Sequence, residues 1–223
     1  MTLAEALAAL EASGTEKKRR TYARHGVPEP MYGVGYAAIR ELGKSIGCDH
    51  ALAGALWATG NHDARVLATL VADPAAITEE ELDAWVQDLS NYVITDMFAE
   101  LAARSPHRQR KQEQWTTTTG EWIRSAGWLL IAHAAMDSDG EESDRYFEVF
   151  LNTAEKQIAN AENRVRHYMN NAVIAIGIRN DSLRRLALAT ATRIGEVTVD
   201  HGRTSCQTPD ATAYIKRAWE RKK

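Results

Sequence analysis

The sequence predicts an all-α protein, and three observations carry that prediction. Alanine and leucine dominate the 223 residues, while glycine (14) and proline (5) are few. Apolar residues recur at the 3.6-residue period of a helix almost everywhere, and β-branched runs are short. Thr2 with Glu5, and Thr78 with Glu81, have the spacing of a capping box, in which hydroxyl and carboxylate satisfy free amides at a helix start.

The pattern places helices at 2–11, 15–25, 33–46, 49–59, 61–72, 78–89, 91–104, 106–114, 119–136, 143–159, 162–178, 181–194 and 209–221. The first and sixth begin at the two capping boxes. Asp73-Pro74 ends the fifth and Ser105-Pro106 divides the seventh from the eighth, because proline has no amide to donate inside a helix. The acidic stretch Asp137 to Asp144 reads as a solvated loop between 119–136 and 143–159. Thr198 to Thr208 is a second irregular segment. Thr208-Pro209 then reads as an N-cap followed by proline at the first helical position.

Three of these helices echo one another. Asp63-Ala64-Arg65-Val66-Leu67-Ala68, Trp122-Ile123-Arg124-Ser125-Ala126-Gly127 and Leu183-Arg184-Arg185-Leu186-Ala187-Leu188 each put an arginine near the start, followed by small and apolar residues. Helices arriving in pairs of about 35–45 residues suggest an α-solenoid of HEAT-like repeats, whose stacking supplies the core and leaves a concave face. An irregular helical bundle is the competing architecture, and periodicity alone does not separate them. The expected organisation is one helical repeat domain over 1–223, with an irregular segment 198–208 and a terminal helix 209–221.

Composition narrows the function classes. Apolar residues make up 44% and charged residues 26%, an ordinary globular balance that excludes global disorder. No apolar run approaches the roughly 20 residues of a membrane-spanning helix, so no membrane partner is expected. Met1 to Leu10 lacks the basic start of a secretory signal. Cys48 and Cys206 have no metal-like spacing and cannot form a disulfide framework, which suggests a cytoplasmic protein with no metal. The net charge of −3 is uneven: residues 1–148 carry −9, whereas 149–223 hold 13 Lys and Arg against 7 Asp and Glu, a net of +6. A basic half can form a local face for anionic ligands, or it can be solvated helix surface.

Two helices draw notice. Over 162–178, Val165, Tyr168, Met169, Ala172, Val173 and Ile176 form a buried stripe. Opposite stand Asn163, His167, Asn170 and Asn171, with Arg164 and Arg166 at the edges. Asparagine has mediocre helix propensity, so this face is exposed surface, is hydrogen bonded to a neighbouring loop, or meets a ligand. Over 91–104, Val93, Ile94, Met97, Phe98 and Leu101 make the stripe. Tyr92 and Asp96 lie one turn apart on the other side, continued by Ala99 and Ala103. A ring face and a carboxylate so placed can receive a cationic group together. Lys17-Lys18-Arg19-Arg20 with Arg24 forms a basic face suited to phosphates or to solvent. No nucleophile elbow or phosphate-binding glycine loop is present. His62-Asp63 and Asp200-His201 lack partners at metal-ligand spacing, and most of the six scattered tryptophans read as packing residues.

These segments together resemble the AlkD-like DNA alkylation repair proteins, which are built from HEAT-like repeats. The matching stretches are Met31-Tyr32-Gly33-Val34-Gly35 with the helix through Lys44, Ala55 to Ala68, Leu82-Asp83-Ala84-Trp85-Val86 leading to Asp96, Trp122-Ile123-Arg124, and Arg166 to Asn180. They cover most of 30–195 in order. The resemblance implies a catalytic aspartate at Asp96. Tyr92 stands where the family has tryptophan and, as a second catalytic residue, would offer its ring to the cationic sugar or base. Asn171 stands at the position of a second tryptophan, and Arg124, at a site arginine, would hold Asp96 or a nearby phosphate. It implies a glycosylase that hydrolyses the N-glycosidic bond of N3- or N7-alkylated purines in double-stranded DNA without a cofactor. Arg124, Arg164, Arg166, His167 and Asn171 would line the DNA. The alternative is a non-catalytic HEAT-like module that binds DNA or a protein, because Asn171 removes one aromatic wall. A monomer is expected. If the repeats stack, Tyr92, Asp96, Arg124, His167 and Asn171 share one concave cleft, with Asp96 partly buried beside a cation.

Overall fold

A computed structural model describes residues 1–221, so Lys222 and Lys223 of the expected 1–223 domain lie outside the described residues. Among the described residues the chain forms α1 (Leu3–Ser13), α2 (Glu16–Arg24), α3 (Tyr36–Ile46), α4 (His50–Ala58), α5 (His62–Val71), α6 (Glu79–Gln87), α7 (Tyr92–Ala103), α8 (Arg108–Thr117), α9 (Glu121–Met136), α10 (Asp144–Gln157), α11 (Asn163–Arg179), α12 (Asp181–Ile194) and α13 (Ala211–Glu220). A short 3-10 turn, Ile158–Asn160, extends the end of α10. Both capping boxes form as the spacing predicts, at Thr2/Glu5 and Thr78/Glu81. No helix among the described residues is long and apolar enough to cross a membrane.

Packing divides the chain into two compact units. The first comprises Met1–Gln109 with Gly202–Thr204; the second runs from Arg110 to His201 and resumes at Ser205. In the first, α5 is the hub and packs against α3, α4 and α7. Its Ala64, Val66, Leu67, Ala68 and Val71 are buried. In the second, α11 is the hub and packs against α9, α12 and α13. The predicted stripe Val165, Tyr168, Met169, Ala172, Val173 and Ile176 is buried in full. Each large apolar side chain removed from water in these cores contributes roughly 1.5–3 kcal/mol. On α7, Ile94, Phe98 and Leu101 are buried as expected, but Val93 and Met97 are only half-buried and Ala99 is fully buried. The core side of α7 therefore includes an alanine expected on the open side, because a methyl group fits where neighbouring helices approach closely.

At the third and last helices the start differs from expectation for a visible reason. The third helix begins at Tyr36 rather than residue 33, because the amides of Tyr32, Gly33 and Val34 point elsewhere. They donate to the fully buried carboxylate of Asp63, at 2.7, 2.9 and 3.1 Å. Gly33 makes this possible with φ +78°, a conformation glycine adopts freely. A Cβ there would also lie 2.7 Å from the Thr15 carbonyl oxygen. The last helix is capped by Asp210, whose carboxylate accepts from the Ala213 amide at 2.6 Å, and not by Thr208. Thr208 instead meets His167 and His201.

The arginine echo has a physical meaning. Arg65 on α5 sits 5.3 Å from the Trp57 ring and pairs with Asp88, the C-cap of α6, at 2.8 Å. Trp57 in turn stacks on Trp85, with centroids 4.3 Å apart and planes within 4°. Arg124 on α9 pairs with Glu162, the N-cap of α11, at 2.6 Å. Arg184 on α12 lies 4.9 Å from the Trp219 ring of α13. Each arginine fastens its helix to a residue of a later helix, an arrangement suited to repeats that bury their faces only by stacking.

Candidate nucleic-acid interface

Tyr92 and Asp96 belong to the first unit; Arg124, Arg164, Arg166, His167 and Asn171 belong to the second.

Tyr92 opens α7, one residue after Asn91, whose buried side chain caps the helix by accepting from Val93 and Ile94. The half-buried Tyr92 phenol is hydrogen bonded to His25 Nδ1, the rings lying 5.8 Å apart and tilted by 49°. His25 is the C-cap of α2. Sequence reasoning missed it because 67 residues separate it from Tyr92. Nearby in the fold, the Tyr22 phenol donates to the Val34 carbonyl, and its ring meets His62 edge-on at 5.5 Å. Burial raises the Tyr22 pKa to about 12 and lowers that of His62, so both are neutral at pH 7. Asp96, one turn along α7, is exposed, where partial burial was expected. The α7 surface turns it outward while Ile94 and Phe98 take the core.

Arg124 is engaged within its own unit. Its guanidinium bonds the Glu162 carboxylate at 2.6 Å and the Gln157 amide oxygen at 3.2 Å. It lines a cleft of about 510 Å³ with Thr116 to Thr119, Phe150 and Thr153.

The polar face of α11 is covered by the tail of its own unit. Asn163 exchanges two bonds with the Asp200 backbone, both at 2.7 Å. Asn170, 3% exposed, donates to the Pro209 carbonyl at 2.9 Å. Arg164 donates to His201 Nδ1 at 3.2 Å, and its amide to Glu121 at 2.6 Å. His201 Nε2 and His167 Nδ1 both meet the Thr208 hydroxyl, at 2.9 and 3.3 Å. The Asn171 amide donates to His167 Nε2 at 3.2 Å. This set of donors assigns the tautomers: His167 carries its proton on Nδ1, His201 on Nε2, and Thr208 accepts from both. Burial, His201 and Arg164 lower the His167 pKa to about 4. Burial and Arg164 lower that of His201 as well. Of the exposed, loop-bonded and ligand-facing readings of this face, Asn163, Asn170 and His167 follow the loop-bonded one. Arg166 is half-buried, and its Nε has no hydrogen-bond partner among the described residues.

Residues 6–215 match the model of a family described as DNA alkylation repair enzyme. The chain belongs to that family. Among curated relatives, the uncharacterized protein Lin0241 of Listeria innocua is 26% identical over 226 residues, spanning 96% of this chain and 95% of its own length. The uncharacterized protein Lmo0209 of Listeria monocytogenes is 27% identical over 228 residues, spanning 97% and 96%. A solved structure from a new family of proteins related to the HEAT-like repeat DNA glycosylases, with affinity for branched DNA structures, aligns with a TM-score of 0.90. The two are 27% identical over 100% of this chain and 95% of the other. The fold is therefore the all-α HEAT-like repeat fold.

Proposed function

We propose that this chain binds DNA, and branched DNA in particular, through the sugar-phosphate backbone, without hydrolysing the N-glycosidic bond. The observation that carries this reading is the exposure of Asp96. A carboxylate stabilises an oxocarbenium-like sugar strongly only where water is excluded, because bulk solvent screens its charge. Two further features support it: Asn171 replaces an aromatic wall and is bonded to His167, and the Tyr92 hydroxyl is held by His25. The affinity for branched DNA of the similar solved protein supplies the substrate class. Backbone recognition needs shape and cations rather than a reaction centre.

The glycosylase reading keeps one specific support, the pairing of Tyr92 and Asp96 one turn apart on α7. A single experiment separates the two. Purified protein is incubated with duplex DNA carrying 7-methylguanine and assayed for free base, in parallel with titration of a four-way junction and a matching linear duplex. The proposed function expects tighter binding of the junction and no base release above that of the buffer. Release that disappears in Asp96→Asn would establish the glycosylase instead.

A further inference from the structure

Helix α13 lies outside the segments that suggest a glycosylase, yet it carries a cleft of its own. The cleft, about 390 Å³, is lined by Ile178, Tyr214, Arg217, Ala218 and Arg221. That volume is within the roughly 300–1,000 Å³ typical of small-ligand clefts. Tyr214, Arg217 and Arg221 recur at helical spacing and so share one stripe. Tyr214 is 44% exposed, and Arg217 and Arg221 are exposed. Among the described residues neither guanidinium has an ion pair or hydrogen bond, unlike Arg184, which packs on Trp219, or Arg193, which pairs with Glu155. The helix beneath is held firmly. The Trp219 indole donates to the Gly177 carbonyl at 2.8 Å, and Ile215 is fully buried.

We infer that this cleft binds one unpaired nucleotide of a DNA strand, its base against Tyr214 and its flanking phosphates on Arg217 and Arg221; the inference rests on the DNA-binding reading above. A tyrosine ring offers a flat face to any base, which makes the contact tolerant of sequence. The two arginines are four residues apart, about 6 Å along the helix axis, the scale of neighbouring phosphates on one strand. Ile178 and Ala218 give the base an apolar floor. Exposed Lys216 adds positive charge beside the stripe, against the single acid of the helix, Glu220. An acidic peptide would satisfy the arginines but leave the ring and the apolar floor unused. Flaps, forks and opened junctions expose unpaired nucleotides, so this cleft would add to a backbone-binding surface what a continuous duplex cannot fill.

The test uses the full chain, a fluorescein-labelled oligothymidine, a four-way junction and a linear duplex, with anisotropy read over a range of salt. Arg217→Glu with Arg221→Glu should weaken oligothymidine binding about tenfold or more and reduce the salt slope by roughly two. Tyr214→Ala should weaken it about tenfold, while Tyr214→Trp retains it. Replacing thymidine by 5-iododeoxyuridine and irradiating should crosslink the wild-type chain at Tyr214. All three positions are exposed, and thermal melts confirm that the variants fold. If junction and oligothymidine bind the charge-reversed and wild-type chains equally, or if crosslinks map elsewhere, the cleft assignment is overturned while DNA binding stands. A wild-type chain that binds the junction but not oligothymidine overturns it in the same way. Failure of the wild type to bind any of the three probes overturns the DNA-binding reading and the cleft together.

Discussion

A carboxylate that accepts three backbone amides is not interchangeable with its amide. Asp63 receives Tyr32 and Gly33 on one oxygen and Val34 on the other, all in a fully buried place. In Asp63→Asn an NH₂ group must face at least one N–H donor, leaving both unsatisfied. The expected loss is about 3 kcal/mol, read as a lower urea midpoint with an unchanged slope. A second residue-scale prediction concerns His167. Its folded pKa is about 4, below the roughly 6.5 of an unfolded histidine. Above pH 6.5 both states are neutral and stability is at its full value. As pH falls from about 6.5 towards 4, the unfolded chain takes up a proton that the folded chain refuses, and stability is lost. Discounted for partial exposure, the loss is about 2 kcal/mol. His62 and His201 shift in the same direction, so the measurement is the difference between wild type and His167→Asn, whose urea midpoint should fall less between pH 7 and 4.5.

At the scale of elements, two glycines inside helices behave oppositely. Gly127 lets α9 approach the preceding helix: a Cβ there would lie 2.6 Å from the Thr116 amide nitrogen and 2.8 Å from the Trp115 carbonyl carbon. Those are backbone atoms and cannot step aside. Gly127→Ala should cost about 2 kcal/mol net, because the clash exceeds the roughly 1 kcal/mol that alanine gains in helix propensity. Gly54 in α4 has nothing within 4 Å of the corresponding position. Gly54→Ala should therefore raise stability by up to about 1 kcal/mol. Thermal melts of the two variants, moving in opposite directions, check the argument.

For the whole molecule, charge decides how DNA would be met. A chain of net charge −3 cannot hold DNA by bulk attraction, so binding would use local basic faces, such as Lys17 to Arg24 or those in the basic part, residues 149–223. Several of the cations there already have partners: Arg193 with Glu155, Arg185 with Asp181, Arg179 with the carbonyls at the end of α9. Few phosphate contacts then remain, and the logarithm of junction affinity should fall with the logarithm of salt at a shallow slope of roughly −2 to −4. A slope near −10 would mean that a far larger cationic surface is engaged than the unpaired arginines and lysines supply.

The helices, most of their phase and the two capping boxes were legible from residue types alone, because the 3.6 period, the capping residues and the prolines act over a few neighbouring positions. The Asp210 cap and the place of Ala99 in the core were not. The core stripe of α11 followed from the same local rule, and the resemblance carried by Ala55 to Ala68 and Arg166 to Asn180 led to the right family. The remaining features are contacts between residues distant in sequence, which no local rule encodes. Asp63 is served by amides about 30 residues upstream, Tyr92 by a histidine 67 residues away, and the α11 asparagines and His167 by a tail some 40 residues on. Arg124 pairs with Glu162, 38 residues further along the chain. Residue type states what a polar side chain can bond; only the packed chain decides which groups are close enough to do so, and therefore which cations are left for a ligand.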